Sequence, residues 1–112
     1  MNNIKKVAIV DCGGANLASL TFAIERLGLE YNVTNDRDDI SNASHIILPG
    51  VGAAKDAMQK LSQTDLIATI KDLKQPTLGI CLGMQLLFDS TMEEEEDCLG
   101  IIQGECKRFT TD

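Results

Sequence analysis

The chain has 112 residues, 44% of them hydrophobic, and a formal net charge of −7. That length suits one small domain with a single core, and the negative charge argues against nucleic-acid binding, which requires a basic face. The polar and basic residues 1–6 lead into an apolar run, 7–10, that is too short for a signal peptide or a membrane span. We therefore expect a cytoplasmic protein with no membrane partner.

Cysteine and glycine spacing argues against several kinds of site. The four cysteines, at positions 12, 81, 98 and 106, form no C-x-x-C pair, and the chain has one histidine, so neither a zinc site nor a thioredoxin-type motif is predicted. Gly13-Gly14 belongs to no G-x-G-x-x-G or G-K-[ST] pattern, so a nucleotide phosphate loop is not predicted either. We expect reduced thiols, with no metal and no cofactor.

Four short segments predict β-strands, at residues 7–10, 31–34, 46–48 and 77–80. The first, third and fourth are nearly continuous apolar runs, which are typical of a parallel sheet buried on both faces.

Segments with apolar residues at spacings of three and four predict helices between these strands. The first runs from Leu17 to Leu27, with Asn16 as its cap and Gly28 at its end. Others are predicted at 54–61, at 66–73 with Ser62 and Asp65 spaced as a capping box, and at 82–88. The polar stretch 89–97 predicts a solvated loop. This alternation indicates an α/β fold: an open, mostly parallel, flavodoxin-like sheet with helices on both faces and ligands at the strands' carboxyl ends.

Cys81 lies between Gly79 and Gly83 where a predicted strand meets a predicted helix. Such a sharp turn presents its side chain clear of the backbone, and residues larger than glycine would collide across the bend. The positive end of the following helix favours the thiolate. An isolated cysteine in an apolar strand is often inert packing, but the two glycines favour a nucleophile.

The segment Leu-Pro-Gly-Val-Gly at 48–52 follows the third strand. If that strand neighbours the fourth, roughly 5 Å away, the loop borders the Cys81 thiol. Its glycines can turn backbone N–H groups toward an oxyanion. A plain structural turn is the alternative for Pro-Gly-x-Gly by itself.

These motifs resemble those of the class I, triad-type glutamine amidotransferases, whose elbow cysteine attacks the side-chain amide of glutamine. The resemblance rests on Gly-Ile-Cys-Leu-Gly-Met-Gln at 79–85 and on the loop at 48–52. Asp-Cys-Gly-Gly-Ala-Asn-Leu at 11–17 is similar to a turn in one branch, the glutaminase subunits of imidazole glycerol phosphate synthase. Cys12 and Ala15 stand where many members have tyrosine and glycine. The resemblance covers residues 4–104.

The resemblance implies a role for each matching residue. Cys81 would be the nucleophile, Gln85 would hold the glutamine, and Glu93 would bind its amino-acid end. The oxyanion hole is assigned to backbone groups of Gly50, Val51, Gly52 and Leu82. The implied partner is a (β/α)8-barrel cyclase subunit that receives the ammonia in histidine biosynthesis.

A general base is missing from this set. His45 is the single histidine, and it lies near the start of the third strand, roughly 10 Å from that strand's carboxyl end, so we interpret it as structural. In the family a His-x-Glu pair follows in the C-terminal part of the domain. Residues 1–112 are therefore expected to be the N-terminal part of a single glutamine amidotransferase domain, truncated at its C-terminus and inactive alone.

Two alternatives stay open. One is a class I amidotransferase of another pathway, such as anthranilate, aminobenzoate, guanylate or pyridoxal phosphate synthesis, which co-purification with the cyclase would distinguish. The other is a non-catalytic flavodoxin-like interaction module, because a fold does not fix an activity.

Overall fold

The computed structural model describes residues 5–13, 17–50, 52–91 and 96–107. The secondary-structure elements, in chain order, are β1 (Lys6–Val10), α1 (Ala18–Arg26), β2 (Glu30–Thr34), α2 (Arg37–Asn42), β3 (His45–Leu48), α3 (Ala54–Gln63), α4 (Ile67–Lys71), β4 (Thr77–Gly79), α5 (Leu82–Leu86), β5 (Phe88–Thr91), β6 (Glu96–Asp97) and β7 (Ile102–Cys106). The four predicted strands are present, each within one residue of its predicted ends.

The first four strands form one sheet in the order β2-β1-β3-β4, with every neighbouring pair parallel. Side chains alternate along β1: Val7 and Ile9 pack with Ile24 of α1, while Ala8 and Val10 belong to the larger core on the other face. That core receives the apolar residues of α2, α3, α4 and α5. The predicted α/β fold, with helices on both faces of a parallel sheet, is confirmed.

Helix α2 was not predicted from the sequence. It has six residues and one buried apolar side chain, Ile40, so it carries no periodic stripe. Its start is set instead by Asp36, whose carboxylate accepts the N–H groups of Asp38 and Asp39 at 2.8 and 3.3 Å. Such capping satisfies backbone donors that a short helix would otherwise leave unpaired.

The predicted capping box at Ser62 and Asp65 is wrong. Ser62 lies inside α3, and Asp65 adopts a left-handed backbone with φ 62°. The hydroxyl of Thr64 instead donates to the Lys60 carbonyl at 2.9 Å and closes α3. At α1, Gly28 follows the helix with φ 72°, as predicted for a helix end, whereas Asn16 lies outside the described residues.

The segment after α5 also differs from its prediction. The helix ends at Leu86, and the stretch predicted as a loop contributes β5 and β6, an antiparallel pair in a second sheet, with β7 parallel to β5. Distant residues return to this segment: Cys98 N–H donates to the Asp89 carbonyl at 2.8 Å, and Gly104 N–H to the Asp89 carboxylate at 3.0 Å. Non-local pairing therefore makes strands of a polar sequence without a strand pattern.

Candidate active site

The glycine loop and the cysteine turn are adjacent because β3 and β4 are neighbouring parallel strands. Leu48 pairs with Gly79 in register, so residues 49 and 50 lie beside residues 80 and 81. Two backbone hydrogen bonds extend the pairing past the strand ends, from Ile80 N–H to the Leu48 carbonyl at 3.0 Å and from Leu82 N–H to the Gly50 carbonyl at 3.1 Å. The prediction that the loop borders the cysteine is confirmed.

Cys81 occupies a strained turn between β4 and α5. Its backbone has φ 53° and ψ −120°, a region that residues other than glycine rarely adopt. Such strain costs on the order of 1–3 kcal/mol and persists where the surrounding structure enforces it, often at functional sites. The Cys81 side chain is exposed, which excludes the alternative of a cysteine buried as packing.

The two glycines that flank this turn have no room for a side chain. A Cβ at Gly83 would lie 1.7 Å from the Leu48 carbonyl oxygen, and one at Gly79 would lie 2.8 Å from the Cα of Met84. Both obstacles are backbone atoms, which cannot rotate away. The sequence reason given for these glycines, collision across the bend, is confirmed.

The loop after β3 faces the turn with a carbonyl. The Leu82 N–H, one of the predicted oxyanion donors, is held by the Gly50 carbonyl, because a buried backbone donor pairs with the nearest acceptor. Gly52 has φ 96°, a conformation suited to glycine, and Val51 lies outside the described residues. A hole with a free Leu82 N–H requires the Gly50 carbonyl to turn away, so the oxyanion assignment stays a prediction.

The two predicted substrate-binding residues differ in what the structure says of them. Gln85 lies on α5, half-buried, with its backbone N–H donating to the Cys81 carbonyl at 3.3 Å. Cys81 itself precedes α5 and has a non-helical backbone. Glu93 lies outside the described residues. Both roles stay predictions.

A third segment, the turn after β1, reaches the same loop. The Cys12 thiol is buried and donates to the Pro49 carbonyl at 3.3 Å. Burial, followed by the negative charge of Asp11, raises the pKa of the Cys12 thiol. Sequence reasoning missed this contact across 37 residues, although the adjacency of the strands before the turn and the loop is a signal that could have found it.

A cavity of about 450 Å³ opens beside this contact, between the turn after β1 and α3. Its lining includes Cys12, Gly13, Gly52, Asp56 and Lys60 but not Cys81. The cavity therefore borders the glycine loop at Gly52 and does not include Cys81.

His45 is the first residue of β3, at the end of the strand opposite Pro49. Its Nδ1 lies 2.9 Å from the Ser44 hydroxyl. The sheet thus holds the single histidine at the edge opposite the cysteine turn, as expected for a structural residue.

Three further observations bear on the kind of site. The four cysteines are free thiols. Within residues 5–13, 17–50, 52–91 and 96–107, no three His, Cys, Asp or Glu side chains are grouped so that they could hold a metal ion. No helix in those ranges is long and apolar enough to cross a membrane.

Comparisons with the sequences of known proteins identify a family and several relatives of this chain. The profile of the family "Glutamine amidotransferase class-I" matches residues 8–101. The chain is 46% identical over 104 residues to "Imidazole glycerol phosphate synthase subunit HisH" of Xanthomonas oryzae pv. oryzae (strain MAFF 311018), covering 93% of this chain and 52% of the relative. It is 50% identical over 98 residues to "Imidazole glycerol phosphate synthase subunit HisH 2" of Legionella pneumophila (strain Paris), covering 88% and 49%.

A solved structure shares the fold. The crystal structure of a glutamine amidotransferase superposes with a TM-score of 0.77 at 18% identity, over 91% of this chain and 56% of that one. The chain spans about half the length of the curated relatives it matches.

Proposed function

This chain belongs to the class-I glutamine amidotransferase family, and from that premise we propose that it is the nucleophile-bearing part of a glutaminase that supplies ammonia to imidazole glycerol phosphate synthase. The observation that carries the proposal is the exposed Cys81, which adopts φ 53° between two glycines and borders a glycine loop. The names of the curated relatives support this branch over other amidotransferase pathways.

The chemistry follows from a cysteine sulfur exposed at such a turn. The Cys81 sulfur attacks the side-chain carboxamide carbon of glutamine, and the carbonyl π electrons move to oxygen to give a tetrahedral oxyanion. Collapse of the oxyanion breaks the carbon–nitrogen bond, and the nitrogen leaves as ammonia after it takes a proton. Water then attacks the thioester, releasing glutamate and restoring the thiol.

Stabilisation of the oxyanion is assigned to the loop at 50–52 and the Leu82 N–H. Each donor aimed at the developing charge typically lowers the activation barrier by about 3–4 kcal/mol. The glycines at 50 and 52 allow the backbone rotation that would free the Leu82 N–H from the Gly50 carbonyl. In this proposal Gln85 and Glu93 hold the rest of the glutamine.

The proton transfers need a base, and within residues 5–13, 17–50, 52–91 and 96–107 no histidine lies beside Cys81. Attack by the thiol and departure of ammonia both call for a group that accepts and returns a proton, and His45 lies at the opposite edge of the sheet. We therefore assign the base to polypeptide beyond the segment 1–112, which would be the N-terminal part of one domain. The remaining half of the relatives' length leaves room for it.

The partner and the compartment belong to the same proposal. The relatives are named as subunits of imidazole glycerol phosphate synthase, so we infer a heterodimer in the cytoplasm with a (β/α)8-barrel cyclase subunit that consumes the ammonia. Hydrolysis of glutamine and the lyase step would then occur on separate subunits.

Glutamine hydrolysis by a completed domain tests the proposal. The 112-residue chain is continued with the unmatched C-terminal half of the Xanthomonas oryzae relative and is mixed with that organism's cyclase subunit. We expect glutamate and ammonia in equal amounts, lost in Cys81→Ser and retained in the matched control Cys98→Ser. A folded fusion that binds the cyclase and releases no glutamate would contradict the proposal.

A further inference from the structure

The carbonyl groups of three successive residues, Leu48, Pro49 and Gly50, are hydrogen-bonded to two different neighbours. The first and third accept the backbone N–H groups of Ile80 and Leu82 at 3.0 and 3.1 Å. The second accepts the Cys12 thiol at 3.3 Å. The segment therefore lies between the cysteine turn on one side and the turn after β1 on the other.

The Cys12 thiol remains a hydrogen-bond donor at neutral pH. Its side chain is 5% exposed, and burial together with Asp11 raises the pKa of the thiol, so the sulfur keeps its proton in neutral solution. The residues on either side of Cys12 are hydrogen-bonded: Asp11 N–H donates to the Thr34 carbonyl at 2.9 Å, and the Asp11 carboxylate accepts Gly13 N–H at 3.1 Å. A thiol is a weak donor, but hydrogen bonds of the neighbouring residues Asp11 and Gly13 keep this one in position.

We propose that Cys12 is a positioning residue for the glycine loop: by donating to the Pro49 carbonyl, it fixes the peptide between Pro49 and Gly50 so that the Gly50 carbonyl lies on the Leu82 N–H. With that peptide held, release of the Leu82 N–H requires rotation at Gly50 and the residues after it, not movement of the whole segment. Cys12 thus sets the resting state of the donor that an oxyanion would use.

The catalytic meaning of this contact rests on the proposed glutaminase, whereas the contact itself does not. Amide hydrogen exchange in the 112-residue chain, without glutamine, measures it, because exchange at Leu82 reports local opening of its hydrogen bond. Ile80 N–H, bonded to Leu48 on the same side of the segment, is the internal control. If Leu82 exchange does not respond to changes at Cys12, the proposed glutaminase reaction still stands. If the completed domain does not hydrolyse glutamine, the exchange measurement still tests the Cys12 contact.

The variants remove the donor in two ways. Cys12→Ala and Cys12→Val are expected to accelerate exchange at Leu82 about threefold, the size of a weak hydrogen bond worth roughly 0.6 kcal/mol net, while the exchange rate of Ile80 stays unchanged. Either folded variant decides the question. Cys12→Ser keeps a donor and is expected to retain wild-type protection at Leu82.

The matched control is Ile40→Val, which removes a methyl group from the same core and is expected to leave Leu82 protection unchanged. The proposal is overturned if Leu82 exchange is unaffected in the donor-free variants. It is equally overturned if Ile80 accelerates by the same factor, or if Ile40→Val has the same effect as Cys12→Ala.

Discussion

The Leu82 N–H donates to the Gly50 carbonyl at 3.1 Å, so a donor proposed to stabilise an oxyanion is occupied by the loop that would share that role. The bond lies directly beside Cys81, whose side chain is exposed. The structure thus combines an exposed thiol at Cys81 with a Leu82 N–H that is already paired.

Substitution of Gly83 should disrupt this arrangement most severely. In Gly83→Ala the new methyl group would meet the Leu48 carbonyl, and we expect the free energy of unfolding to fall by about 3 kcal/mol through backbone displacement. Urea denaturation measures the loss. The matched control is Gly28→Ala, at φ 72° with open space around it, where left-handed strain alone should cost about 1 kcal/mol. Equal losses in the two variants would contradict the close approach at Gly83.

The cysteines should differ in their rates of alkylation by iodoacetamide. We expect Cys81 to react first because it is exposed, and Cys12 last because it is buried and burial raises the pKa of its thiol. Cys98 and Cys106 are partly buried, and burial also raises the pKa of Cys106, so both should be intermediate. Peptide mapping after timed quenching gives the four rates. Equal labelling of Cys81, Cys98 and Cys106 in folded protein would contradict this order.

Tyr31 provides a spectroscopic check on how α1 packs beside β2. Its hydroxyl donates to the Glu25 carboxylate at 2.7 Å, and this hydrogen bond is the main cause that raises the pKa of Tyr31. The folded state therefore binds the phenol proton more tightly, so this contribution to stability is present below the unfolded pKa and is lost as pH rises through the folded pKa. Tyr31 is the single tyrosine and there is no tryptophan, so ultraviolet absorbance follows its titration.

Glu25→Gln is the variant for that titration. Removal of the negative charge should lower the pKa of Tyr31 toward its ordinary value. Glu30→Gln changes an exposed glutamate directly before Tyr31 in β2, and it should leave the curve in place. An unchanged curve in Glu25→Gln would contradict the hydrogen bond.

Gln75 should stabilise the end of α2. Its side-chain amide donates to the carbonyls of Ile40, Ser41 and Ala43 at 3.2, 3.3 and 2.9 Å. Gln75→Ala leaves these acceptors without that partner and should lower the free energy of unfolding by about 1–2 kcal/mol. Gln59→Ala, on the exposed face of α3, should change it by less than about 0.5 kcal/mol. Thermal or urea denaturation compares the stability of the two variants. Equal losses of stability would argue against a stabilising role for the Gln75 hydrogen bonds.

The four strands of the first sheet were predictable because local residue patterns mark each of them. β1 and β3 are apolar on both faces, and glycines mark the turn around Cys81 where no Cβ fits. Two kinds of feature were not predictable from local pattern. Helix α2 depends on the Asp36 cap and one buried residue, Ile40, and β5 becomes a strand through residues that return ten or more positions later.

The candidate site likewise has features that the sequence predicts and features that it does not. The neighbourhood of Cys81 and the glycine loop follows from the pairing of β3 with β4; the sequence pattern marks both strands but does not show that they are neighbours. The occupied Leu82 N–H and the thiol contact from Cys12 to Pro49 depend on the rotation of individual peptides and on one side chain. Sequence periodicity carries no information on either.

The 112-residue chain should not turn over glutamine at a steady rate. The proposed reaction needs a base at the site, and the single histidine is the first residue of β3, across the sheet from the loop. Glutamate formation, measured over many equivalents of enzyme, should match that of Cys81→Ala. Sustained release that depends on Cys81 would show that another group within these residues serves as the base.

In the proposed reaction, Cys81 is the nucleophile for the amide of glutamine. To test this role, the folded chain is treated with a chloromethyl ketone analogue of glutamine, and the adduct is mapped by mass spectrometry. We expect one adduct, on Cys81, that forms more slowly when glutamine is added in excess and is absent in Cys81→Ser. Adducts spread equally over Cys81, Cys98 and Cys106, with rates that glutamine does not change, would contradict it.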